Sequence, residues 1–119
     1  MAKRNFYSLS RYKDKTDGNT KCGYLPREGE AVPNNFSLAL SVYRATDSTA
    51  ATNWKEVKTW FVVDEDCGLS IATGSTKKEA INKALETLAK VDMELYMKKR
   101  HKSIETYGPV PGHKVVYLH

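Results

Sequence analysis

The sequence predicts an α+β protein, in which a twisted, mostly antiparallel sheet of about five strands packs on one long carboxyl-terminal helix. Three observations point to this class. The chain has 119 residues, the size of a single domain. Its first two thirds contain several segments in which apolar and polar residues alternate, as they do in half-buried strands. The last third contains one long segment with the apolar spacing of a helix. We therefore expect one domain, residues 1–119.

The first two strands are expected to form a hairpin. Residues 5–12 alternate in character, so Tyr7 should face away from Phe6. A turn signal, Asp17-Gly18-Asn19, then folds the chain back, because glycine adopts positive φ without a steric clash. The second strand is predicted near residues 20–25, ending at Pro26.

The next strands follow from alternation and from a continuous apolar run. Residues 29–35 are expected to form a loop, and residues 46–53, which are small and polar, a surface loop. An acidic turn leading to Gly68 should join the last two strands. The remaining predicted strands are residues 36–43, 54–64 and 69–72.

The helix is the clearest element. Thr76 and Glu79 have the spacing of a capping box, in which the hydroxyl and the carboxylate satisfy free backbone N–H groups of the first turn. The helix is predicted to continue to about Arg100. Residues 108–112 contain two prolines and should end it in a stiff connection, and residues 113–118 could add an edge strand or reach a second subunit. The buried stripe is expected to comprise Ile81, Ala84, Leu85, Leu88, Val91 and Leu95.

Charge is distributed unevenly along the chain. Residues 1–27 contain seven Lys and Arg against two Asp, whereas the other 92 residues balance. A net charge confined to one end indicates an anionic partner, although a solubilising basic face explains it equally well. A second basic cluster, residues 98–102, has a sufficient explanation in the negative end of the helix dipole. The alternative is that it joins the amino-terminal cations on one ligand surface.

Aromatic residues are interleaved with these cations. Aromatic rings stack on bases, and Lys and Arg neutralise phosphates, so the mixture favours single strands, RNA or small nucleotides. Aromatic residues in strands are also common in protein cores, which leaves a structural role open. The predicted ligand-binding residues are Arg4, Tyr7, Arg11, Tyr12, Lys13, Lys21, Arg27, Arg44, Lys98 and Arg100.

No residue pattern indicates catalysis, a metal or a cofactor. The acidic run Asp64-Glu65-Asp66 lacks the spacing of a calcium loop and is expected to be a solvated turn. Histidine and cysteine residues do not have zinc-ligand spacing. Ser75, Thr76 and Lys77 form a weak candidate phosphate site at the start of the helix. We expect no enzyme activity.

The chain contains no apolar run long enough to cross a bilayer, and its amino terminus lacks the apolar core of a signal peptide. We therefore expect a cytoplasmic protein without a membrane partner, in the host cytoplasm if a phage encodes it. The two cysteines, Cys22 and Cys67, are then expected to be reduced thiols.

Residues 54–100 resemble two families of small modules. The order of two strands and a helix that opens Thr76-Lys77-Lys78-Glu79-Ala80 is similar to the arm-binding domain of phage-type integrases, whose strands enter the DNA groove. The acidic strand end, Gly68 and Gly74 resemble the HicB antitoxin core. These resemblances imply a DNA partner or a protein partner, and a phage or mobile-element origin.

The function predicted from these observations is non-catalytic binding of a phosphate-bearing ligand, with nucleic acid favoured. The alternative, by analogy with phage anti-defence sponges of the anti-Thoeris type, is sequestration of a cyclic nucleotide or cyclic ADP-ribose signal. A second alternative is an inhibitor or antitoxin that binds a protein partner. A homo-oligomer is also expected, because one helix leaves part of such a sheet uncovered.

Overall fold

The computed structural model describes residues 3–13, 16–44 and 59–111. They form one antiparallel sheet in which the five strands are neighbours in chain order, followed by two helices. The α+β class is confirmed, but the prediction of one long helix is wrong. The elements are β1 (Lys3–Lys13), β2 (Thr20–Val32), β3 (Leu40–Arg44), β4 (Trp60–Asp64), β5 (Ser70–Gly74), α1 (Lys77–Lys90) and α2 (Met93–Tyr107).

The first hairpin is longer than predicted. β1 and β2 pair from Lys3 with Glu30 to Lys13 with Thr20, and the turn between them places Gly18 at φ 72°. The expected end of the second strand at Pro26 is wrong, because the long first strand keeps pairing beyond the proline. Residues 29–32, expected to be part of a loop, therefore belong to β2.

Gly29 is the point at which β2 meets β3. A Cβ atom built on Gly29 would lie 2.1 Å from the carbonyl oxygen of Val42, so only glycine permits this approach. The β2–β3 pairing starts at Glu30, opposite Val42, and ends at Val32. The two strands therefore pair over only a short stretch.

The strand predicted at residues 36–43 starts later, at Leu40. Asn34 explains the difference. Its side-chain amide donates to the carbonyl oxygens of Val32 and Leu38 at 3.1 and 2.9 Å, and its Oδ1 accepts the Phe36 N–H at 2.9 Å. These local bonds hold a turn in place of the expected first half of the strand.

The central strands are covered on both faces. Val62 and Val63 point to opposite faces of β4 and are both fully buried. On one face, Val62 packs with Ala84 and Leu88 of α1 in a cluster that we call the α1 cluster. On the other face, Val63 packs with Phe6 of β1, so the hairpin covers the face that the helix leaves open. Residues 45–58 lie outside the described residues. They include the predicted surface loop at 46–53 and the first part of the strand predicted at 54–64. The predicted edge strand at 113–118 also lies outside the described residues.

The predicted helix is divided into two. α1 begins after Thr76, whose Oγ1 accepts the Glu79 N–H at 3.1 Å, so the predicted start is confirmed. α1 ends at Lys90, and Asp92 caps α2 by accepting the Glu94 N–H at 3.0 Å. Because of this break Leu95, expected in the buried stripe, is 56% exposed. Neither helix is long and apolar enough to span a membrane within the part of the chain that the structure describes.

Candidate functional site

The sheet has a cleft of about 430 Å³ where β2 and β3 separate. We call it the open cleft. Its volume falls near the lower end of the range of about 300–1,000 Å³ that is typical of small-molecule sites. It is lined by Lys3, Pro26, Arg27, Glu28, Gly29, Glu30, Val42, Tyr43, Arg44 and Trp60.

Strand register assigns the side chains of the open cleft to one face of the sheet. Directly paired residues of antiparallel strands point to the same face, and residues alternate along each strand. Glu30 is paired with both Lys3 and Val42, and Arg44 is paired with Trp60. Val42 packs against the α1 cluster, so these side chains lie on the helix side of the sheet. Alternation adds Glu28 to the same face.

Arg27 and Tyr43 also line the open cleft, but their side chains are engaged on the opposite face. The Arg27 guanidinium carbon lies 4.9 Å from the centre of the Tyr43 ring. Its Nε donates to Ser8 Oγ at 2.9 Å, and Ser8 is buried. The predicted site residue Arg27 therefore has a structural role that ties β2 to β1 and β3.

The charged residues of the cleft differ in their partners. Glu30 forms an ion pair with Lys77 of α1, whose ammonium group lowers the pKa of the Glu30 carboxyl. Lys3, Glu28 and Arg44, by contrast, form no hydrogen bond or ion pair with any residue in the described ranges. These three groups are available to a ligand. Two of them are cations and one is a carboxylate.

Two aromatic residues lie at this face. Trp60 is half-buried, packs against the α1 cluster on one side and lines the open cleft. Tyr7 is half-buried, and it pairs with Pro26, which also lines the cleft. Because Tyr7 is four residues from Lys3 along β1, alternation places both on the same face. The predicted separation of Tyr7 from Phe6 is confirmed, since Phe6 is buried in the core.

Arg4 is directed away from the cleft. Its Nη2 donates to both carboxylate oxygens of Glu65, at 3.0 and 3.2 Å. The Ser41 hydroxyl donates to the same carboxylate at 3.1 Å. Glu65 is buried, whereas the Arg4 side chain is 47% exposed. Arg4 therefore compensates a buried charge while keeping one side open to solvent.

Arg100 is buried in a group of side chains that we call the Asp64 network. Its Nε lies 3.2 Å from Asp64 Oδ2, and its Nη2 lies 2.9 Å from Asp66 Oδ2. The Tyr96 hydroxyl donates to Asp64 Oδ2 at 2.6 Å. Burial raises the pKa of Asp64, opposed by the Arg100 charge and by these hydrogen bonds. Burial and the Asp64 carboxylate raise the pKa of Tyr96, which keeps its hydroxyl a donor.

The expectation of a solvated acidic turn is therefore wrong. Asp64 and Glu65 are both buried, because a guanidinium group approaches each of them from a distant part of the chain. The structure thus brings Arg4 and Arg100 to the same turn, but each of them is paired with a carboxylate. The Arg100 guanidinium is therefore engaged by Asp64 and Asp66.

The other predicted site residues are spread over the molecule. Lys98 is exposed on α2. Arg11, Tyr12 and Lys13 belong to β1 and Lys21 to β2, in the half of the hairpin remote from the open cleft. Their side chains lie outside the part of the structure that is described.

The start of α1 is satisfied by its own side chains. Glu79 Oε2 accepts the Ser75 hydroxyl at 2.7 Å, which lowers the pKa of Glu79, and Lys77 is paired with Glu30. The candidate phosphate site at residues 75–77 is thus occupied by internal contacts. Cys67 is fully buried, and burial raises the pKa of its thiol to about 12. Within the described ranges, no group of His, Cys, Asp and Glu residues could hold a metal ion.

The chain matches no family model, no curated protein and no solved structure. The resemblances to HicB antitoxins and to integrase arm-binding domains, and the phage origin drawn from them, stay predictions. So does self-association.

Proposed function

We propose that this chain is a non-catalytic binding protein for a phosphate-bearing ligand, and that single-stranded nucleic acid binds across the open cleft. One observation carries the proposal. Lys3 and Arg44, two cations that form no hydrogen bond or ion pair among the described residues, line the same cleft as the half-buried Trp60.

This combination suits a single strand for a physical reason. A ring stacks on the face of a base, and bases expose their faces only when they are not paired in a helix. Cations near the ring then neutralise the phosphates on either side of the stacked base. Stacking contributes about 1–3 kcal/mol per base. Tyr7, on the same face of the sheet, could hold a second base.

The size of the cleft supports a second candidate function. A volume of about 430 Å³ suits one small nucleotide held as a whole, as sequestration of a signalling nucleotide requires. Such a ligand would form a complex of fixed stoichiometry and would compete with the oligonucleotide. No specific observation favours an inhibitor of a protein partner, which becomes the alternative if neither ligand binds.

The test is a titration followed by tryptophan fluorescence. The chain has two tryptophans, so a Trp54→Phe background makes Trp60 the only reporter. We expect a thymidine hexamer to quench Trp60, because the ring stacks on a base. Affinity should fall as salt rises, with a slope of log K against log salt of about −0.7 for each phosphate neutralised.

Variants in this background locate the site. Arg44→Ala and Lys3→Ala should each weaken binding and make the salt slope shallower by about 0.7. Lys99→Ala is the matched control, because it removes one exposed cation from α2. Equal losses in all three variants would indicate general charge attraction and would refute the proposed site. No quenching at low salt would refute single-strand binding itself.

A further inference from the structure

We infer that the open cleft selects guanine, and that Glu28 is the residue that reads it. This inference rests on the proposed function, since it concerns the base that stacks on Trp60. The open cleft, which we propose to bind phosphates, also contains a carboxylate that would repel them, and this carboxylate calls for a different role.

Glu28 is placed for contact with a ligand. It is exposed, lines the open cleft, and forms no hydrogen bond or ion pair with any described residue. The neighbouring carboxylate, Glu30, is compensated by Lys77. Elsewhere in the described chain, Glu65 and Asp64 are compensated by arginines. Glu28 is therefore the one uncompensated acid among the residues that line this cleft.

An ionised carboxylate only accepts hydrogen bonds, through two oxygens side by side. Guanine alone among the common bases presents two adjacent donors on its Watson–Crick edge, the N1–H and the N2 amino group. Adenine and cytosine each present one amino donor beside a ring acceptor, which repels the second oxygen. Uracil and thymine present one N–H between two carbonyl oxygens. A carboxylate beside a stacking ring therefore favours guanine by two parallel, charge-assisted bonds.

The same geometry predicts the effect of a minimal change. In Glu28→Gln the carboxylate becomes one acceptor and one donor. That pair complements adenine and cytosine, whose amino group donates and whose ring nitrogen accepts, and equally the O6 and N1–H of guanine. The variant should therefore lose the preference for guanine, and the affinities for guanine, adenine and cytosine should converge. Because Glu28 is exposed and without a described partner, we expect the fold to be unaffected.

The experiment uses thymidine hexamers with one central guanine, adenine, cytosine or hypoxanthine, titrated into the full chain. We expect guanine to bind about tenfold more tightly than adenine, as two good hydrogen bonds to a base edge provide. Hypoxanthine keeps N1–H but lacks the amino group, and should bind with intermediate affinity. Glu86→Gln, which neutralises an exposed acid on α1, is the matched control and should keep the guanine preference.

The possible failures are distinguishable. Equal affinity for all four hexamers would overturn the inference and leave the proposed function intact. A guanine preference that persists in Glu28→Gln would overturn the role of Glu28. If no hexamer binds at low salt, the proposed function and the inference both fail.

Discussion

Replacing Arg100 by methionine should lower the unfolding free energy of the protein far more than replacing an exposed neighbour on the same helix. Arg100→Met keeps an unbranched apolar side chain and removes the guanidinium that contacts Asp64 and Asp66. Asp64 is fully buried, so the substitution leaves a carboxylate away from water without its cation. Removing one partner of such a pair costs about 3–5 kcal/mol. At roughly 4 °C per kcal/mol for a domain of this size, the melting temperature should fall by roughly 12–20 °C.

Denaturant unfolding followed by circular dichroism measures this loss. Lys99→Met, an exposed position on the same helix, is the control and should change the unfolding free energy by about 0.5 kcal/mol or less. Adding Asp64→Asn to Arg100→Met should restore part of the loss, because the buried charge is then gone. A loss below about 1 kcal/mol for Arg100→Met would refute the reasoning.

Three further predictions concern the Cys67 thiol, the contact of Gly29 with β3 and the break between α1 and α2. In a Cys22→Ser background, Cys67 of the folded protein should resist alkylation at pH 8. Its pKa is about 12 in place of about 9, so roughly a thousandfold less of the thiol is ionised. Rapid labelling of the folded protein would contradict the burial of Cys67. Gly29→Ala should destabilise the fold by about 1–3 kcal/mol or more through overlap with β3. In Gly18→Ala the added Cβ meets no atom within 4 Å, so the loss of stability should come only from the strain of the positive φ. Equal melting temperatures for the two variants would argue against the close approach of Gly29 to β3. Asp92→Ala removes the cap of α2 and should lower the unfolding free energy by about 1 kcal/mol. An unchanged unfolding free energy would show that the cap does not stabilise the fold.

Local chemistry explains why much of the fold could be predicted. The alternation around Phe6 and Tyr7, the turn at Gly18 and the cap at Thr76 are each determined by residues close in sequence, and all three are confirmed. The break at Asp92 escaped the same reasoning. Its apolar neighbours keep a helical spacing across the break, so periodicity alone predicts one continuous helix.

Contacts between distant residues explain what could not be predicted. Asp64 and Glu65 of the acidic turn are buried because Arg4 and Arg100 reach the turn from positions 61 and 34 residues away. No local pattern indicates that two cations of the basic clusters pair with acids of the same chain. Likewise, no sequence pattern around Glu28 or Trp60 indicates a binding site. The two residues line one cleft only because β2 and β3 separate there in the folded sheet. Lys3 could have been assigned to the Tyr7 face from alternation alone.

The most direct test of the account is the salt dependence of single-strand binding in the Trp54→Phe protein and in its Arg44→Ala variant. With Lys3 and Arg44 both contacting phosphates, log K should fall with a slope of about −1.4 against log salt, and the variant's slope should be about −0.7. Trp60 quenching should report the same affinity in each case. Binding without quenching, or an unchanged slope in Arg44→Ala, would contradict the assignment of the ligand to the open cleft.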